Sequence, residues 1–291
     1  MGCIVPCAAF HRDIRATPLD KSTSFPREPL RVTPVAADFV ARLGSRGTVP
    51  GEVRTSWDVE RYVAATARPV TDDELRRLAR RARAVRRTDP GRLAALLRAL
   101  ADPLLGELNH ARLGAAAGIP RTTVQPYVDV LVEIGVVRLL PGCRASAAKR
   151  AIGRPEVVFE DPALARHLAG HDPAALAAFS GRPRLAPLLR TMVAAELLRQ
   201  QATSVVEHRV SYLRERNGLE VGFVVELPDD SIYGLEVLTA AGLRPHQFAR
   251  LEALARRAGS RFRGGVVLNT ASVGHRYGPR LWGLPIASVW E

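Results

Sequence analysis

Lysine is almost missing from this 291-residue chain: it occurs at Lys21 and Lys149 alone, so forty of the forty-two basic residues are arginine. Beyond residue 149 there is no lysine, and arginine, which stays charged throughout the working pH range, cannot act as a general base in its place. Cysteine is scarce too. Cys3, Cys7 and Cys143 are odd in number, form no C-x-x-C pair and have no histidines at zinc spacing, which excludes a disulfide framework and argues against a structural metal. No window holds 18 uninterrupted apolar residues, and Met1 to Ala8 is too short and too poor in charge for a signal peptide. The expected compartment is therefore the cytoplasm, with no membrane partner. No G-x-x-x-x-G-K-[ST] segment occurs either. Gly44-Ser45-Arg46-Gly47 and the stretch from Gly259 to Gly265 contain glycine but lack the phosphate-cradling ending, so nucleotide hydrolysis is not expected.

What is present is an ordinary globular composition, 47% hydrophobic and 24% charged, which excludes wholesale disorder. The length suits two domains of about 100 to 200 residues each. The net charge of +13 suggests a polyanionic partner. An arginine-rich, lysine-poor chain is equally the product of GC-rich coding, and the arginines are spread along the chain, so both readings stand.

The first fifty residues carry six prolines and no sustained period, and residues 1–55 read as an extended or disordered leader. Helical grammar begins at Thr71-Asp72-Asp73-Glu74, a capping box, followed by Leu75, Leu78, Ala79 and Ala82 on one face and an arginine-rich face opposite. Asp89-Pro90 opens a second helix. From Asn109 the text gives a capped short helix, Gly118 at its C-cap, an Ile119-Pro120 turn, a second helix with Val124, Tyr127, Val128 and Leu131 inward, a strand from Val136 to Leu140, and a partner strand from Glu156 to Phe159. That order is a winged helix-turn-helix within a helical domain, residues 56–160. In such a module Arg121, Thr122, Thr123 and Gln125 are the candidate base readers, and Arg144, Lys149, Arg150 and Arg154 of the wing the phosphate contacts. Pro126 costs about 3 kcal/mol if it lies inside the second helix and little in its first turn.

Residues 161–291 form the second expected domain. Asp161-Pro162 and Asp172-Pro173 open two connecting helices, and a longer helix runs from Pro187 through Leu198. The period then changes to two: Glu207 to Arg214, an Asn217-Gly218 turn, Leu219 to Glu226, a Pro228-Asp229-Asp230 turn and Ile232 to Leu238. A helix from Pro245 to Ala258 and a strand from Gly264 to Leu268 complete an α-β-β-β-α-β order, with the last strand parallel to its neighbour. The fold class is thus α+β, or mixed α/β.

With Glu196 on the first helix, Gly222 on the second strand and Glu236 on the third, this order resembles the restriction-endonuclease-like PD-(D/E)XK core. The text L-G-A-A-A-G-I-P-R-T-T-V, V-A-A-E-L-L-R-Q at 193–200, F-R-G-G-V-V-L-N-T and L-W-G-L-P-I-A-S-V-W extends the likeness. Residues 93–290 are similar to the four-one-four-three domain of unknown function, the C-terminal half of prokaryotic AAA-type ATP-binding proteins; here the ATPase domain is missing. The resemblance implies a metal-holding aspartate where this chain has Gly222, a water-activating lysine where it has Leu238, and often a glutamate where it has Arg190. Glu196 and Glu236 match. They are expected to be remnants, with no catalytic residue, no metal and no cofactor.

The reading is of a non-catalytic DNA-associated or assembly module with a decayed nuclease-like site, partnered by nucleic acid held weakly and without sequence preference, or by an intact ATP-binding relative. One alternative is a Mg²⁺-dependent nuclease using Glu196, Glu236 and a migrated Glu226, since strand alternation places Glu220 and Glu226 on the face of Gly222. The other is a non-functional, decaying fragment.

Overall fold

Capping chemistry sets where the helices begin. The computed structural model describes residues 38–44, 53–104, 106–143, 153–215 and 218–290, which fall in one unit, Thr33–Glu291. Helices α1 (Phe39–Gly44) and α2 (Val59–Ala65) lead into α3 (Asp72–Val85), α4 (Pro90–Ala101), α5 (His110–Ala117) and α6 (Arg121–Glu133). Thr71, Asp89 and Asn109 each accept the amide of the third helical residue, at 3.2, 2.8 and 3.1 Å, a contribution of about 1 kcal/mol per helix. The expected box at Thr71 is only half formed. Glu74 instead takes both guanidinium nitrogens of Arg68 at 2.8 Å.

Helices α5 and α6 make the predicted helix-turn-helix. Gly118 sits at φ 64°, ψ 33°, the left-handed conformation that lets α5 stop and the chain reverse. Strands β1 (Val137–Leu140) and β2 (Glu156–Phe159) follow as an antiparallel pair, with Val137 opposite Phe159. Pro126 lies in the second turn of α6, so the first-turn placement does not hold and the carbonyl of Thr122 loses its amide donor. Burial of Val124, Tyr127, Val128 and Leu131, at about 1.5–3 kcal/mol each, outweighs the loss.

Helices α7 (Pro162–Leu168) and α8 (Pro173–Ala177) begin at Asp161 and Asp172 as the sequence indicates. Helix α9 (Arg182–Gln201) starts five residues before the expected Pro187, with Pro183 in its first turn and Pro187 inside it. It is buried nearly all round, because it lies against the β1–β2 hairpin, the large sheet and the C-terminal turn.

The sheet contains β3 (Arg209–Arg214), β4 (Glu220–Glu226), β5 (Ile232–Val237), β6 (Phe262–Asn269), β7 (His275–Gly278) and β8 (Leu281–Pro285), in the order β3-β4-β5-β6-β8-β7. The first three run as an antiparallel meander, and β5, β6 and β8 are parallel. Between β5 and β6 the chain crosses over through α10 (Ala249–Ala258), preceded by a 3₁₀ turn at Pro245–Phe248 where a single helix was expected. Leu251 and Leu254 of α10 pack with Val221, Val224, Ile232 and Val267. The edge pair β7 and β8 was not foreseen. The architecture is α+β: a helical N-terminal part and a mixed sheet.

Two features tie the first and last described segments to this frame. Phe39 and Val40, inside the supposed leader, are buried, and the Phe39 amide donates to Gln200 Oε1 at 3.0 Å, so an extended or disordered reading fails at 39–44. Trp57 stacks on Trp290 with ring planes 1° apart, and Tyr62 Oη accepts the Ala287 amide at 2.8 Å. The hairpin also joins the sheet directly: Tyr212 of β3 donates its amide to Pro141 O at 3.0 Å and accepts that of Cys143 at 2.7 Å.

Candidate functional site

The helix-turn-helix exposes Arg121 and Thr122 at the start of α6, while Thr123 and Gln125 are half-buried. Gln125 is occupied. Its Oε1 lies 2.8 Å from His110 Nε2 and its amide nitrogen donates to Asp129 Oδ1 at 2.6 Å, so its hydrogen-bonding groups serve the α5–α6 contact. Arg144, Lys149 and Arg150 lie outside the described residues. Arg154 is exposed, and its carbonyl accepts the Tyr212 hydroxyl.

The strand site is built on a bulge. Ser211 pairs with Val224 and Leu213 with Val221, so Gly222 and Phe223 together oppose Tyr212. Val221 and Val224, three residues apart, both pack on the α10 side. The alternation that would align Glu226 with Glu220 and Gly222 is therefore broken. Glu226 accepts Ser211 Oγ at 3.0 Å, four residues and about 13 Å of strand from Gly222. Glu220 pairs with Arg214 Nε at 2.9 Å.

Beside the bulge, Glu236 is 8% exposed, and its Oε1 accepts the Gly222 amide at 3.2 Å. Arg190, reaching in from α9, donates Nη2 to Gly222 O at 3.2 Å and to Glu156 Oε2 at 2.9 Å, with its guanidinium 5.5 Å from the Phe223 ring. A Cβ at position 222 would lie 3.4 Å from Glu236 Oε2 and 3.6 Å from Arg190 Nε, so a side chain there would face one carboxylate and one cation. Arg250 Nη1 stands 4.0 Å from Glu236 Oε1. Burial pushes the Glu236 carboxyl above the usual carboxylate range, against the Gly222 amide, Arg250 and Arg190, which favour the anion. Burial likewise raises Glu156, opposed by Arg190 and Arg214.

Glu196 belongs to another network. Its carboxylate bonds to Arg199 and to Gln200 Nε2, and Gln200 also holds Val289 O at 2.7 Å and the Phe39 amide. Six residues from Arg190, about 600° of helix rotation, it lies on a different face of α9. Leu238 packs against the α10 cluster. The structure thus gathers Gly222, Glu236, Arg190 and Glu156, keeps Glu196 and Glu226 apart from them, and has the apolar Leu238 two residues beyond Glu236. Sequence reasoning did not reach Glu156: it is 34 residues from Arg190 and sits at the start of an apolar strand with no local sign of an ion pair. Among the described residues no group of three or more His, Cys, Asp or Glu is placed to hold a metal ion. A cleft of about 500 Å³ lined by Trp57, Asn269, Thr270 and Tyr277 shares no residue with this cluster.

These features define a class: a helix-turn-helix with a β-hairpin, joined to a mixed α+β sheet whose buried acid and arginine meet at a bulge. Residues 187–288 match the family model described as Domain of unknown function (DUF4143), and residues 46–175 match the one described as Domain of unknown function (DUF8612). The first match supports the C-terminal part of the resemblance and is narrower than 93–290; the helix-turn-helix falls within the second. No curated protein and no solved structure matches the chain. Among the described residues no helix is long and apolar enough to cross a membrane.

Proposed function

We propose that this chain is a non-catalytic module, serving in DNA association or in assembly with an intact ATP-binding relative of the AAA type, on a nuclease-like sheet that has exchanged its metal for an internal cation. The observation that carries this reading is Arg190. Its guanidinium contacts Gly222, pairs with Glu156 and lies beside Glu236, at the place where a PD-(D/E)XK core needs its divalent ion. Magnesium does not fit these residues: it requires near-octahedral oxygen donors, Gly222 brings none, and a fixed positive charge stands next to Glu236. No observation favours the nuclease with a migrated acid, because Glu226 is bonded to Ser211 at the far end of β4.

DNA association in this reading is tolerant of sequence. Gln125 is held by His110 and Asp129, which leaves Arg121 and Thr122 as the exposed groups of the reading turn. The test is incubation of the full chain with single- and double-stranded DNA in Mg²⁺ or Mn²⁺, beside Glu236→Ala. Equal, background-level products from both proteins are expected. Metal-dependent cleavage that vanishes in Glu236→Ala sinks the non-catalytic reading.

A further inference from the structure

Many arginines elsewhere are engaged, Arg138 with Glu160, Arg190 with Glu156, Arg214 with Glu107 and Glu220, Arg257 with Glu215 and Arg263 with Asp229, while Arg98, Arg121, Arg184 and Arg256 stand without a side-chain partner among the described residues. Helix α3 is set apart by carrying several unpaired arginines on one face. Arg76, Arg80 and Arg83 are exposed and have no ion-pair or hydrogen-bond partner among the described residues, and the same holds for Arg86 and Arg87 just beyond the helix. The acids of α3 sit at its start: Asp73 pairs with Arg77 at 2.5 Å, Glu74 pairs with Arg68, and Asp72 makes no ion pair with Arg76 among the described residues.

At about 100° per residue, Arg76, Arg80 and Arg83 fall within about 60° of arc, on the side away from buried Leu78 and Ala82. Like charges three and four residues apart destabilise a helix. A surface that serves only to meet water has no need of such a stripe, and a phosphate backbone relieves the repulsion. The three guanidiniums span about 10 Å of helix axis. Over that distance one strand of a DNA duplex carries about three phosphates. A membrane surface is a poorer fit, because the apolar side of α3 is buried and offers nothing to insert. The helix also runs back along α6: Arg81 Nη2 donates to Ile134 O at 2.7 Å, and the Asp89 amide donates to Tyr127 Oη at 3.0 Å. The arginine run therefore proceeds from the C-terminal end of α6 toward its N-terminal half.

We infer that the outer face of α3, formed by Arg76, Arg80 and Arg83 and continued by Arg86 and Arg87, grips the phosphate backbone of duplex DNA. This rests on the DNA-association reading above and names the surface responsible. The stripe supplies sequence-independent affinity, while the start of α6 contributes little.

The experiment is fluorescence anisotropy of a labelled mixed-sequence duplex with the full chain across a salt series. It compares the wild type, Arg76→Gln/Arg80→Gln/Arg83→Gln, the same three positions changed to Lys, and Arg121→Ala/Thr122→Ala. Each phosphate contact contributes about 0.9 to the slope of log K against log salt. The glutamine variant is expected to lose about 2.7 of that slope, and on the order of 10²–10³-fold in affinity at 0.1 M salt. The lysine variant is expected to keep the wild-type slope, and Arg121→Ala/Thr122→Ala to change it by no more than about 1. If the wild type binds and the glutamine variant keeps its slope, the stripe is refuted while DNA association stands. Loss of slope in the lysine variant refutes the phosphate contact in the same way. If the wild type does not bind the duplex even at low salt, DNA association fails and the inference with it.

Discussion

If Arg190 occupies the place of a metal ion, as proposed above, an acid introduced at position 222 will not by itself make a metal site. A side chain at position 222 enters a space bounded by Leu235 O at 3.3 Å, Glu236 Oε2 at 3.4 Å and Arg190 Nε at 3.6 Å. In Gly222→Asp the new carboxylate meets an opposite and a like charge at similar range. At about 4 Å and an effective dielectric constant of about 20 each term is worth about 4 kcal/mol, with opposite signs. They nearly cancel, so Gly222→Asp is expected to move stability by no more than about 1 kcal/mol and to form an ion pair with Arg190. Adding Arg190→Glu reverses the balance. Glu156 loses its partner at 2.9 Å, the carboxylates around Glu236 are left without their guanidinium, and the metal-free protein loses about 3–5 kcal/mol. A divalent ion can now recover that loss: at one hundred times its Kd it contributes about 2.7 kcal/mol. For a chain of this size that raises Tm by roughly 5–10 °C. The assay is thermal melting in Mn²⁺ against chelator for the wild type, Gly222→Asp and Gly222→Asp/Arg190→Glu. Only the last is expected to respond. A rise in Gly222→Asp as large as in the double variant refutes the view that Arg190 stands in for the metal.

The parts of the fold that were legible in the sequence are those fixed by neighbouring residues. Thr71, Asp89, Asn109, Asp161 and Asp172 cap the helices they precede, and Gly118 ends α5. The meander β3–β4–β5 and the parallel β6 follow from alternating apolar runs and a helical crossover. Elements without such a signature were missed. Strand β7 is mostly exposed and has no apolar face to alternate, and β8 is short and ends on Pro285. Helix α1 lies in a proline-rich stretch and owes its place to the distant Gln200 and Ser288. At the site, Gly222 and Leu238 could be read as departures from the motif the chain resembles, but the contacts that surround Gly222 could not. The bulge depends on pairing with Tyr212, and the Arg190–Glu156 pair joins α9 to a strand thirty-four residues earlier. Glu196 shows the converse error, since matching a motif position did not bring it to Glu236; its neighbours on α9 direct it to Gln200.

Two further outcomes test the electrostatics. Asp38 accepts Ser204 Oγ at 2.8 Å, the Val205 amide at 2.9 Å and the Ala41 amide at 2.9 Å; burial raises its pKa, but these bonds hold it below 3.8. Asp38→Ala is expected to cost about 1.5–3 kcal/mol and to release α1, seen as faster hydrogen exchange confined to residues 39–44 and their contacts; in the wild type the contribution is present above about pH 3.8 and lost as pH falls through the folded value. Glu236 carries the opposite sign. Burial raises its folded pKa above 4.5, so the folded state holds the proton more tightly than the unfolded chain. The penalty for ionising it is therefore absent below about pH 4.5, grows as pH rises toward the folded value, and is complete above it. Glu236→Gln keeps an oxygen for the Gly222 amide at 3.2 Å and removes the desolvated charge. Urea melts are expected to give equal stability for the two proteins near pH 4 and a more stable variant at pH 8, by about 1 kcal/mol, the scale of one exchanged hydrogen bond. If the variant is instead the less stable at pH 8, then Arg190 and Arg250 outweigh burial and Glu236 holds the fold as an anion.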